Sequence, residues 1–105
     1  MLIIDHDKDV KFNKDHAIAE PLFVNENNRL LRFALLPGQE IKEHNSPSSP
    51  VFIKIIRGRG VFWGEDKKEQ ELDKDSVIVF KKGEMHGIKA LDEELVFIAV
   101  LHGAP

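Results

Sequence analysis

The sequence predicts an all-β protein, a barrel or sandwich formed as a single domain over residues 1–105. Three observations carry this. Short runs rich in Val, Ile, Leu and Phe alternate with turn residues along nearly the whole chain. The turn signals recur about every eight to twelve residues, the spacing of antiparallel strands joined by short loops. Support for helix is weak: only residues 5–16 offer room for a turn or two, and Asn13 with its β-branched and aromatic neighbours spoils it.

From the N-terminus, the apolar start gives a first expected strand at residues 2–5. A second at 17–24 stops at Asn25-Glu26-Asn27-Asn28, and a third at 30–36 stops at Pro37-Gly38. Residues 41–44 form a short strand before a Ser/Pro loop at 45–50. The next run, 51–57, is the most informative. Side chains alternate along a strand, so Val51, Ile53 and Ile55 share one aliphatic face, which should point into the core. Phe52, Lys54 and Ile56 share the other, a mixed face suited to a second packing surface. Gly58-Arg59 reads as a hairpin turn into a strand at 60–63. Gly64-Glu65-Asp66, Asp73–Asp75, Gly83 and Asp92-Glu93-Glu94 then punctuate expected strands at 68–72, 77–80, 86–90 and 95–101.

A chain of 105 residues builds one modest core without staples. Hydrophobic residues make up 42% and charged residues 31%, an ordinary globular balance. The net charge of −3 gives no basic surface for nucleic acid, and Arg57-Gly58-Arg59-Gly60 is a single copy rather than an RNA-binding repeat. The longest apolar run, at 95–101, is too short to span a bilayer as a helix. The chain turns acidic after three apolar residues, so no signal peptide is expected. There is no cysteine, which excludes disulfides and thiolate metal sites and suits a reducing cytoplasm.

Several short patterns fail as sites. Asp5-His6-Asp7-Lys8-Asp9 begins like a calcium loop, but Val10 stands where the sharp turn needs glycine and His16 where a bidentate glutamate belongs. Gly58-Arg59-Gly60 has the wrong spacing for a dinucleotide fingerprint. What remains is two spaced blocks: Gly38 through His44 and Ser46 to Gly58, and Asp75 through Gly83 to His86.

These blocks resemble the two motifs of the cupin superfamily. The first motif is a glycine, five residues, two histidines separated by one residue, a glutamate shortly after, and a closing glycine. Gly38, His44 and Gly58 match it. The second ends in glycine, two residues, histidine, which Gly83 and His86 match, while Asp75 and Lys81 stand where its glycine and proline belong. The resemblance implies a double-stranded β-helix, or jelly-roll, barrel. In metal-binding cupins three histidines and the glutamate hold one metal. Carried over position by position, His44 and His86 are ligands, whereas Ser46 replaces the second histidine and Val51 the glutamate. Imidazole-held divalent metals typically want three or more protein ligands.

Three readings of the site stay open. In the first, His44, Ser46, Val51 and His86 line a barrel cavity that binds a small molecule, a site needing only a few convergent polar groups. In the second, the histidines merely suit the fold. In the third, a divalent transition metal is held by His44 and His86, with His102, Glu40 or an anion completing the shell. The corresponding functions are a small-molecule-binding cupin, a metal-dependent enzyme of dioxygenase or isomerase type, and a dimeric sensor or accessory module. A homodimer is expected through the apolar N-terminal strand and the Phe52/Ile56 face. Neither nucleic acid nor membrane is expected as a partner.

Overall fold

The structure is a computed structural model that describes residues 1–102. Among these residues there is no helix, and nine strands form two antiparallel sheets. The strands are β1 (Ile18–Val24), β2 (Asn28–Leu35), β3 (Glu40–His44), β4 (Val51–Arg57), β5 (Gly60–Trp63), β6 (Gln70–Leu72), β7 (Val77–Phe80), β8 (His86–Ala90) and β9 (Leu95–His102). The larger sheet has the order β1-β2-β9-β4-β7 and the smaller the order β3-β8-β5-β6. Only the β1–β2 and β5–β6 links stay within one sheet; every other connection crosses to the opposite one, which is how a jelly roll is wound.

Strand alternation builds the interior in layers. Cross-strand register aligns Arg29, Leu101, Val51 and Phe80 across the larger sheet at one end of the barrel. Leu31, Ala99, Ile53 and Ile78 form the next row, and Phe33, Phe97 and Ile55 the one below. Phe33 stacks on Phe97 with ring centres 4.9 Å apart, and Phe62 of the smaller sheet meets Phe97 edge-on. Leu35, Ile55 and Leu95 are fully buried and close the far end. The barrel is therefore a packed plug at one end and open at the other.

Two expectations from sequence are corrected. Residues 2–5 form no strand; residues 5–16, where helix support is weak, form isolated turns and no helix. This N-terminal segment instead lies against the outer face of the larger sheet. Arg32 faces outward there yet is buried, and its guanidinium donates to the carbonyls of His6 and Lys8 and to Glu20. A buried guanidinium needs such a full set of acceptors, and backbone carbonyls within residues 5–8 supply them. Finally, Gly58-Arg59 is not a hairpin turn. β4 pairs with β7 and β9, whereas β5 pairs with β6 and β8, so these residues carry the chain between sheets. The crossing is tight: Gly58 has φ +83°, and a Cβ there would sit 1.8 Å from the Glu94 carbonyl oxygen.

On its outer face the larger sheet carries a continuous apolar row across all five strands. Register aligns Phe23, Leu30, Val100, Phe52 and Val79. All but Leu30 are exposed.

Candidate functional site: the mouth of the barrel

The open end is shaped by the loops before β4 and before β8. Gly83, at φ +78°, turns the chain so that its N–H donates to the Ser46 carbonyl at 2.9 Å. The two loops are thereby tied together. The Ser49 hydroxyl, fully buried, accepts from the backbone N–H of His102 at 2.8 Å and pins the Ser/Pro loop to the end of β9. Pro47 and Pro50 restrict the backbone between these anchors.

His44 ends β3 and His86 begins β8, and the two are direct cross-strand partners. Their ring centres are 4.4 Å apart with the planes inclined by 58°. His86 is buried and stacks flat on Phe80 at 4.2 Å; His44 is at the solvent rim. Each ring makes the same backbone contact. Nδ1 of His44 lies 3.0 Å from the Lys42 carbonyl, and Nδ1 of His86 lies 2.9 Å from the Glu84 carbonyl. A carbonyl only accepts, so both Nδ1 atoms carry the proton. In the neutral rings Nε2 is then the lone-pair nitrogen. Burial pushes the His86 imidazole below its ordinary value of 6.5. The hydrogen bond to Glu84 opposes this, and the neighbouring His44 adds to it.

Both histidines line one cavity of about 260 Å³. Its wall is mainly apolar, with Leu31, Phe33, Ile53 and Phe97 deep inside. Ser46 and Val51 line it as well, Val51 with 6% exposure. The structure thus brings together all four residues singled out from sequence, although Ser46 lies in the loop past the end of β3 rather than on a strand. Glu40 and His102 do not join them. Glu40 pairs with Lys89 at the opposite end of β3, and His102 meets Phe52 edge-on at 6.2 Å on the outer face. One lining residue escaped the sequence reading. Arg29 sits in the same layer as Val51, and its Nε is buried without a hydrogen-bond partner among the described residues. The signal was available: Arg29 shares the inward phase of Leu31, Phe33 and Leu35, but the expected strand began at residue 30, two residues after the start of β2.

The donor set does not fit a cupin metal centre. Two imidazoles present suitable nitrogens, but among the described residues no three His, Cys, Asp or Glu side chains converge. Protein ligation would stop at two, below what structural or catalytic sites of this kind use.

A two-sheet antiparallel barrel with paired histidines at its open end defines a double-stranded β-helix protein. The chain belongs to the cupin family: the family model described as "Cupin domain" matches residues 31–101. No curated protein matches the sequence. Among solved structures, a protein from Thermus thermophilus is 24% identical over 100% of both chains, with a TM-score of 0.92. A conserved double-stranded β-helix protein from Klebsiella pneumoniae is 20% identical over 96% of this chain and 89% of its own, with a TM-score of 0.88. A predicted oxalate decarboxylase from Thermotoga maritima is 23% identical over 84% and 81%, with a TM-score of 0.75. At these identities the likeness establishes the fold.

Proposed function

We propose that the protein binds a small organic molecule in the barrel cavity. The observation that carries this is the shared cavity itself: an apolar chamber opening beside two imidazoles whose orientation is fixed by backbone carbonyls. A mainly apolar chamber with a few fixed polar groups is the usual form of a small-molecule site. The neutral rings offer hydrogen-bond acceptors and sites for proton exchange, and neither task needs the missing ligands. The cytoplasm is the compartment we assign, in keeping with a chain free of cysteine.

We further propose a second copy of the chain as partner, seated on the outer face of the larger sheet. The apolar row from Phe23 to Val79 supports this, as do Leu2 and Ile3, which are exposed at 62% and 77%. An apolar arm and an apolar face on one molecule can be exchanged symmetrically between two.

The test of ligand binding is a fragment screen by ligand-observed NMR on the parent and on Ala99→Leu, which fills the chamber from its wall. Ala99 is 2% exposed and lines the cavity. Hits that bind the parent and are lost in the variant support the reading. An absence of hits, or hits indifferent to the added side chain, refutes it.

A further inference from the structure

We infer that Arg29 makes this cavity a site for small hydroxy acids, with the guanidinium holding the carboxylate and the imidazoles of His44 and His86 accepting from the hydroxyl. The inference rests on the small-molecule reading above and specifies its ligand class.

Charge is the first ground. Arg29 lines the cavity as a fixed cation, and no aspartate or glutamate lines it. In a chain whose net charge is −3, the mouth is a local positive site. A fixed cation beside low-dielectric walls concentrates field on whatever enters.

The state of Arg29 is the second ground. The other three guanidiniums are paired within the fold: Arg32 with Glu20, Arg57 with Glu94, and Arg59 with Glu71. Arg29 has neither an ion pair nor a side-chain hydrogen bond among the described residues, and its Nε is buried. A buried donor left unsatisfied is costly, and a planar guanidinium matches a carboxylate with two parallel hydrogen bonds. A ligand carboxylate removes that deficit. The fold also explains why the partner is not internal. Arg29 aligns with Leu101, Val51 and Phe80, and the position at which metal-binding cupins would place an acid is Val51.

The tautomers supply the third ground. With both Nδ1 protons committed to the Lys42 and Glu84 carbonyls, the neutral rings present Nε2 acceptors. Acceptors repel a second carboxylate and suit a hydroxyl. Below them, Leu31, Phe33 and Phe97 offer an apolar wall for the rest of the ligand.

Titration calorimetry with lactate and mandelate, their neutral amides lactamide and mandelamide, and phenylacetate tests this. At least one hydroxy acid should bind saturably, and its amide should bind at least about tenfold more weakly, as expected for a lost charge-assisted pair. Phenylacetate, which lacks the hydroxyl, should bind more weakly than mandelate if mandelate is the acid that binds. Arg29→Gln and Arg29→Met should each reduce hydroxy-acid affinity at least about tenfold and reduce amide affinity by a much smaller factor, closing the gap between acid and amide. The comparison of acid with amide on the parent protein stands even if a variant fails to fold. If amides bind the cavity as tightly as acids, or if Arg29 can be replaced without loss, the hydroxy-acid assignment is overturned while small-molecule binding survives. If no hydroxy acid binds, the assignment is overturned, and the fragment screen separately decides the broader reading.

Discussion

At the scale of single residues, depth in the barrel decides what a charge does. Ile53 is 2% exposed and lies one layer below the mouth, among aliphatic neighbours. We expect Ile53→Asp to cost about 3 kcal/mol or more in urea denaturation at neutral pH, since the new carboxylate finds no partner there. A carboxylate at Val51 should be tolerated better, because its layer contains Arg29 and Phe80, and Phe80 stacks on His86. The double variant Ser46→His with Val51→Glu goes further, adding an imidazole and a carboxylate to the two imidazoles already lining the cavity. It should bind about one zinc or nickel per chain and gain melting temperature on metal addition, after an overpacking cost of roughly 1–3 kcal/mol without metal. A parent-like response to metal in a folded double variant would show that the four positions do not converge. His86 itself sets a pH dependence. Its folded form binds a proton less readily than the ordinary value of 6.5 allows, so the unfolded chain takes up the proton first as pH falls. Its neutral, buried state therefore stabilises the fold fully above that value, and stability is lost as pH falls through it toward the depressed folded value. The stability gap between the parent and His86→Gln should narrow between about pH 7.5 and pH 5.5; a constant gap would mean that His86 titrates normally.

At the scale of elements, the crossings between sheets matter more than the strands they join. Gly58 has a positive φ and no room for a Cβ beside the Glu94 carbonyl. Gly58→Ala should destabilise by about 1–3 kcal/mol from backbone conformation alone, with the steric contact added to it. A melting temperature unchanged by this substitution would contradict the crossing. At the opposite end, the hydrogen bond from Gly83 to Ser46 joins two loops that are distant in sequence, each adjoining one of the histidine-bearing strands. The Ser/Pro loop beside His44 is thus a structural brace: its buried hydroxyl and its prolines hold shape, while the two histidines sit on the paired ends of β3 and β8.

For the molecule as a whole, one end is filled, the other is open, and one outer face is apolar. The filled end fixes the frame from which the mouth residues project. The dimer proposed above rests on the outer face. Val79 is 54% exposed and aligns with Phe52, itself in line with Val100. Val79→Lys should convert a dimer to a monomer in sedimentation velocity while leaving ligand binding in the cavity intact. A parent protein that is monomeric at high concentration would remove the dimer from consideration.

Much of this was legible in the sequence, because strand alternation and turn residues are local properties. The inward phase of Val51, Ile53 and Ile55 follows from period two alone. The spacing of Gly38, His44, Gly83 and His86 sufficed to indicate a cupin barrel, and those histidines meet across β3 and β8. What the sequence did not reveal is set by contacts between distant segments. The apolar residues 2–5 read as a strand because hydrophobicity says nothing of whether a free sheet edge exists; the residues just after them, His6 and Lys8, give their carbonyls to a buried Arg32. Gly58-Arg59 looked like a hairpin because turn chemistry is the same whether the chain reverses within a sheet or crosses between two. Arg29 fell between an expected turn ending at Asn28 and an expected strand starting at residue 30; its phase is local, but its place beside Leu101 in the mouth layer and its lack of a partner exist only once register is set. Local patterning determined which residues face inward; only the tertiary pairing decided which of them face one another, because register and partner are properties of two segments and periodicity is a property of one.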